Sequence, residues 1–184
     1  MAASDNNPNA NSPNGRIRCL SASELQERLE EEINRAERHH TPLSCLLVTI
    51  GDLEELTREH GGELAEEALA YVARVLAAQV RGFDRVGRPD DDQLLLILPG
   101  ADGPHGEVVA RRVLQRLHTI KVEADGTRQP LRISVGLAAW QAGLSATELL
   151  EQARLAGALG NGAETASGLA SSSPPVLGRP GGPA

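Results

Sequence analysis

Two short runs of large aliphatic residues constrain the fold more than any other feature of the sequence. The run "PLSCLLVTI", residues 42–50, follows a proline and has almost no polar interruption. Such a pattern is typical of a central strand covered on both faces. The run "QLLLILP", residues 93–99, follows three aspartates. We interpret it as the return strand of a hairpin, with a short first strand near 84–88 and a turn at 89–92.

Helical periodicity fills most of the sequence around these two runs. "SASELQERLEEEINRAERHH" begins with serine caps and predicts an amphipathic helix with Leu25, Leu29, Ile33 and Ala36 on one stripe. Two further helices are expected on either side of Gly61-Gly62, and another in "HGEVVARRVLQRLHTI". "IKVEA" and "LRISVGLAA" flank the turn signal Asp125-Gly126, and a last helix begins at Ser145 or Thr147. The predicted order is α-β-α-α-β-β-α-β-β-α.

Length and composition predict one domain with two tails. A chain of 184 residues can hold a single core and has little room for a second. Residues 1–15 and 165–184 are rich in Asn, Ser, Pro and Gly, so we expect them to be disordered. The predicted domain spans residues 16–164, where apolar runs alternate with charged helical segments as in an α/β fold.

Charge and cysteine content exclude several classes of function. A net charge of -7 argues against a nucleic-acid partner, because binding to a phosphate backbone depends on clustered Lys and Arg. The sequence shows neither a membrane-spanning apolar run nor a signal-peptide pattern, so we expect a cytoplasmic protein without membrane insertion. Cys19 and Cys45 suggest neither a disulfide framework nor a zinc site.

Several motifs in register resemble the GGDEF family of diguanylate cyclases over about residues 20–162. "RGFD" (81–84) is followed by five residues, then "DDDQL" (90–94) and "LLILP", where the family has R-x-x-D, five residues, G-G-D/E-E-F and an apolar strand ending in Pro. "RISVGLA" (132–138) is similar to the family's T-x-S-I-G-V-A strand. The resemblance implies an α/β (α+β) fold of the GGDEF and nucleotide-cyclase palm type, with a mostly antiparallel central sheet flanked by helices.

The resemblance also implies a degenerate active site. Active members condense two GTP molecules into cyclic di-GMP, with divalent metal held by carboxylates and phosphates laid against the glycine turn. Asp90 and Asp91 replace both glycines, and a carboxylate about 4 Å from a phosphate costs roughly 1 to 4 kcal/mol. Only one metal carboxylate of the signature remains, Asp92. The five signature positions are Asp90, Asp91, Asp92, Gln93 and Leu94. Thr49 replaces a metal-binding Asp of the family, and Glu54 replaces a phosphate-binding Lys. Thr57 and Glu66 replace the guanine-binding Asn and its partner Asp, and a C-terminal phosphate-binding Lys falls near Asn161.

We therefore expect no catalytic residue, no metal and no cofactor. A new cation site at Asp90–Asp92 is conceivable, but consecutive side chains on a tight turn diverge, which favours a solvated turn. The few aromatic residues argue against a base-stacking platform, and Phe83 is expected in the core.

The feature retained from the family is its inhibitory site, where the Arg and Asp of R-x-x-D bind cyclic di-GMP. Arg81, Asp84 and, in the following helix, Arg112 match that site. The alternative is a surface Arg and Asp at a helix-to-strand turn. Two functions follow: an inactive regulatory domain that binds cyclic di-GMP, or a protein-interaction module that partners another signalling protein. An active diguanylate cyclase is the third hypothesis, and the oligomeric state is left open.

Overall fold

The computed structural model describes residues 18–160 of the chain. The predicted tails and Asn161 lie outside the described residues. In chain order the elements are β1 (Cys19–Leu20), α1 (Ala22–His39), β2 (Leu43–Ile50), α2 (Leu53–His60), α3 (Gly62–Ala77), β3 (Arg85–Asp90), β4 (Gln93–Pro99), α4 (Gly103–Leu117), β5 (Lys121–Ala124), β6 (Thr127–Pro130), β7 (Ile133–Ala139) and α5 (Ala146–Gly160).

A five-stranded sheet in the order β1-β3-β4-β2-β7 forms the centre of the fold. All of its pairs are antiparallel except β1 with β3. Strand β2 lies between β4 and β7, so that Cys45 is opposite Ile97 on one side and Ala138 on the other. The prediction of a mostly antiparallel central sheet flanked by helices is confirmed.

Helices cover both faces of this sheet, which explains why the two apolar runs have no polar alternation. Residues such as Leu46 and Leu96 face one core, which is completed by α2, α3 and α4. Their sequence neighbours Leu47 and Leu95 face a second core against α1 and α5. Within residues 18–160, no helix combines the length and apolar character needed to cross a membrane.

Capping side chains set the starts of the two helices in the second core. Ser21 and Glu24 form a capping box at α1. At α5, the Glu148 N–H donates to the Ser145 hydroxyl at 3.3 Å, and the Glu148 carboxylate accepts from the Ser145 N–H at 2.9 Å. Ser145, one of the two predicted candidates, is therefore the cap. The predicted break between α2 and α3 is also confirmed, and Gly61 has a φ of 91° there.

The sequence prediction was wrong about the strands around Asp125-Gly126. The turn is present, with φ of 50° and 74°, but it joins β5 to the short polar β6 in a separate two-stranded sheet. The more apolar "ISVGLAA" instead pairs with β2 at the edge of the main sheet, where it buries Val135 and Leu137. The burial available beside β2 decides that pairing. Strand β1, two residues long, was not predicted.

Candidate functional site

The signature residues lie at the tip of the β3–β4 hairpin. Asp90 ends β3 and is opposite Gln93, so the turn consists of Asp91 and Asp92 and is shorter than the predicted 89–92. Leu94 follows on β4 and is buried. None of the three aspartates has a positive φ, and the Asp91 N–H donates to the Asp90 carboxylate at 2.9 Å. The turn therefore closes without the glycines that the family uses.

Arg88 of β3 ties this turn to helix α3. Its guanidinium donates to the two Glu66 carboxylate oxygens at 3.1 and 3.0 Å, a bidentate ion pair. The same group donates to the backbone oxygen of Asp91 at 2.9 Å. Sequence reasoning missed Arg88; the available signal was an arginine two residues before the first of three aspartates. The Arg88 guanidinium thus binds the Glu66 carboxylate, which stands at the position where the family contacts guanine.

A cleft of about 630 Å³ opens beside the turn, between the end of β2, helices α2 and α3, and the hairpin tip. Its lining consists of Ile50, Gly51, Leu53, Glu54, Thr57, Gly62, Ala65, Glu66, Leu69, Arg88, Asp91 and Asp92. Four carboxylates face one guanidinium in this set. The Thr57 hydroxyl donates to the Leu53 carbonyl at 2.8 Å, within its own helix. The cleft is therefore acidic, and the hydroxyl hydrogen of Thr57 is already used in a hydrogen bond within α2.

Two of the family's metal positions hold no carboxylate, and Asp92 of the signature turn is the one that remains. Thr49 lies directly opposite Gln93 in the β2–β4 register. The buried Gln93 side chain accepts a hydrogen bond from Arg154 of α5 at 3.0 Å, so a fixed positive charge lies beside it. Across residues 18–160, no cluster of three or more Asp, Glu, His or Cys side chains has a geometry that could hold a metal ion. Arg154 is a second residue that sequence reasoning missed.

The segment "RGFD" forms a four-residue turn between α3 and β3. The Asp84 N–H donates to the Arg81 carbonyl at 3.1 Å, and the Arg81 N–H donates to the Asp84 carboxylate at 2.7 Å. Arg85 adds two bonds, to the Gly82 carbonyl at 3.0 Å and the Asp84 carbonyl at 2.9 Å. Asp84 therefore closes the turn from inside, with 7% of its surface exposed.

The three residues predicted as a ligand site lie near one another. Arg112 of α4 donates to the Gln79 carbonyl at 2.5 Å, in the loop that leads to the exposed Arg81. Burial raises the pKa of the Asp84 carboxyl above its ordinary value of 3.8. The hydrogen bond from the Arg81 N–H lowers that pKa by a smaller amount, as do the charges of Arg81, Arg85 and Arg112. In a chain with a net charge of -7, the charges of three arginines therefore act on one buried carboxyl group.

Phe83, expected in the core, is exposed. It occupies the turn between Arg81 and Asp84 and exposes 56% of its surface. The cores on both faces of the sheet are filled by aliphatic side chains from the strands and helices, and the turn projects beyond them. The prediction from residue type alone was therefore wrong.

Comparison with known proteins agrees with this geometry. The family model "Diguanylate cyclase, GGDEF domain" matches residues 21–158. Among curated relatives, "Probable diguanylate cyclase DgcC" of Escherichia coli strain K12 is 28% identical over 110 residues, 60% of this chain and 29% of that protein. "Diguanylate cyclase DosC" of the same strain is 29% identical over 59% of this chain and 24% of its own length. The chain thus spans less than a third of the length of either relative.

Solved structures share the fold. The active GGEEF domain of a Vibrio cholerae diguanylate cyclase has a TM-score of 0.70 at 15% identity, covering 78% of this chain and 92% of that one. The coiled coil and GGDEF domain of DgcB from Caulobacter crescentus, solved with cyclic di-GMP, has a TM-score of 0.72 at 15% identity over 80% and 78% of the two chains. The family match, the strand order and the hairpin with its signature turn lead to one conclusion: the chain belongs to the GGDEF domain family of diguanylate cyclases.

Proposed function

We propose that this GGDEF domain is catalytically inactive and acts as a regulatory module. The observation that carries the proposal is the charge of the cleft beside the signature turn. Glu54, Glu66, Asp91 and Asp92 line it with Arg88, and Glu54 and Asp91 stand where active members have a phosphate-binding lysine and a glycine. GTP brings several negative charges, and each carboxylate about 4 Å from a phosphate oxygen opposes binding by roughly 1 to 4 kcal/mol at surface-like dielectric.

Two further contacts act in the same direction. Divalent metal would offset the repulsion in an active cyclase, but the Thr49–Gln93 pair offers no carboxylate and Arg154 places a cation beside it. The Arg88–Glu66 ion pair must also break before a guanine could use Glu66. Phosphate, metal and base contacts are thus all weakened, with Asp92 as the one metal carboxylate that remains, and this supports the proposal of an inactive domain.

Product formation tests this proposal. The full chain is incubated with GTP and either Mg²⁺ or Mn²⁺, and nucleotides are separated by chromatography. We expect no cyclic di-GMP above a control without protein. Formation of cyclic di-GMP that rises with protein concentration would overturn the proposal.

A second function is favoured by the "RGFD" turn: we propose that the domain binds cyclic di-GMP there. Arg81 is exposed for a phosphate or a guanine edge, and Arg112 is held near it by its bond to Gln79. The Asp84 Oδ2 atom accepts from the Arg81 backbone, which leaves Oδ1 as the acceptor for guanine N–H groups. Cationic and acceptor groups are thus combined in one small surface, as a guanine nucleotide requires.

Calorimetric titration with cyclic di-GMP tests the second function. Arg81→Ala removes a charge-assisted contact of roughly 1.5 to 3 kcal/mol, so we expect about ten- to a hundred-fold weaker binding. Asp91→Ala, in the signature turn, is the matched control and should bind as the wild type does. Absence of heat with the wild-type chain, or binding indifferent to Arg81, would favour the protein-interaction module instead.

A further inference from the structure

Phe83 is an aromatic ring that the fold does not bury. It exposes 56% of its surface at the second central position of the "RGFD" turn. The sequence has one Phe, one Tyr and one Trp, and its one Phe lies at the tip of a turn and not in a core. Packing in a core therefore does not explain why a phenylalanine occupies position 83.

Hydrogen bonds order the backbone of the turn that carries Phe83. Hydrogen bonds between Arg81 and Asp84 close the turn at both ends, at 2.7 and 3.1 Å. The Arg85 guanidinium spans the carbonyls of Gly82 and Asp84, on either side of Phe83, at 3.0 and 2.9 Å. Because the backbone is already ordered, contact with a ligand would cost little additional conformational entropy.

The surroundings of Phe83 are cationic. Arg81 is exposed in the same turn, Arg85 bonds the carbonyls on either side of Phe83, and Arg112 bonds the Gln79 carbonyl in the preceding loop, in a chain whose net charge is -7. An exposed ring among guanidinium groups fits a ligand that combines a flat π system with phosphate. Purine nucleotides have that combination, and proteins bind unpaired bases by stacking them on aromatic rings.

We propose that Phe83 is a specificity residue of the "RGFD" surface, on which a guanine base of cyclic di-GMP stacks. This inference rests on the proposed binding of cyclic di-GMP and adds a residue and a contact to it. The arginines bind phosphate, the Asp84 carboxylate binds the guanine edge, and the Phe83 ring covers the guanine face.

Titration of four variants of the 184-residue chain separates this inference from the function on which it rests. Phe83→Ala should weaken cyclic di-GMP binding about 5- to 150-fold, the usual effect of removing one base-stacking ring. Phe83→Tyr keeps the ring and should bind within about two-fold of the wild type. Tyr71→Ala is the control, since Tyr71 is also exposed but lies on α3 beneath Arg74. Arg81→Ala reports on the arginine contact of the proposed function and not on stacking.

The outcomes are distinct. If wild type binds, Arg81→Ala weakens binding and Phe83→Ala does not, the stacking inference is wrong while cyclic di-GMP binding stands. If the wild-type chain gives no heat, the proposed receptor function fails and the inference with it. A Phe83→Trp variant gives a spectroscopic check: its added emission over the Trp140 background should be quenched by cyclic di-GMP. Unchanged emission at saturating ligand would also overturn the stacking inference.

Discussion

Replacement of Gly136 by alanine tests how closely α5 packs on the central sheet. Gly136 lies in β7, and a Cβ atom built on it would be 1.9 Å from the Ala153 carbonyl oxygen and 2.5 Å from the Gly157 nitrogen. Both atoms are helix backbone, so no side-chain rotation can relieve the contact. The glycine is therefore required by the close approach of the strand and the helix.

The size of the effect follows from these distances. Real Cβ atoms essentially never approach other atoms closer than 3.0 Å, so α5 must move by about 1 Å away from β7. That shift loosens the packing of Leu149 and Ala153, both fully buried. Overpacking costs about 1 to 3 kcal/mol and occasionally more; with backbone on both sides we expect the upper end, about 3 kcal/mol. At about 2 to 4 °C per kcal/mol, the melting temperature should fall by about 6 to 12 °C.

Two other glycines provide matched controls in the same thermal unfolding assay. A Cβ at Gly103, in the first turn of α4, meets nothing within 4 Å, so Gly103→Ala should be neutral or slightly stabilising. A Cβ at Gly87 meets the Leu25 side chain at 2.6 Å, a flexible group, so the loss there should be smaller than at Gly136. If Gly136→Ala melts at the same temperature as Gly103→Ala, the packing argument is wrong.

Three further predictions concern titration and capping. Burial raises the folded-state pKa of Asp84, so ionisation of this carboxyl lowers the stability of the folded chain as pH rises above 3.8. Asp84→Asn keeps an oxygen acceptor for the Arg81 N–H without the charge. Its melting temperature should therefore rise relative to that of the wild type between pH 3 and 7. The hydrogen bond from Arg18, with those from Ser21, lowers the pKa of Glu24 to about 2. The contribution of the Glu24 carboxylate to stability is therefore present above pH 4.5 and is lost as the pH falls towards 2. Arg18→Ala should raise that pKa in an NMR titration; an unchanged value would contradict the assignment. Ser145→Ala should cost about 1 kcal/mol in urea unfolding, whereas Thr147→Ala should cost less.

The sequence predicted the central sheet well because its strongest signal and its main physical constraint coincide. An aliphatic run without polar alternation can only be satisfied between two helical layers, and β2 and β4 occupy that position. The same reasoning failed at β6, a polar strand whose residues are all exposed and which therefore has no hydrophobic pattern. Phe83 was misplaced for a related reason, since residue type gives average burial and the turn projects beyond both cores.

The candidate site was less predictable than the fold because its chemistry depends on contacts between distant residues. Replacement of the signature glycines could be read directly from the sequence. The ion pair of Arg88 with Glu66 joins residues 22 positions apart, and the bond of Arg154 to Gln93 joins residues 61 apart. Neither pair has a local signature, so only the folded chain identifies these two arginines as parts of the site.

Direct titration of GTP into the full chain in the presence of Mg²⁺ is the measurement closest to the central claim that the signature cleft no longer binds its family's substrate. The cleft holds four carboxylates and one guanidinium, and two metal positions carry Thr49 and Gln93 while Asp92 keeps a third. We predict no calorimetric heat of binding up to high micromolar GTP, with cyclic di-GMP titrated into the same preparation as the comparison ligand. Saturable, Mg²⁺-dependent binding of GTP that is altered by substitution of Asp92 would contradict the claim.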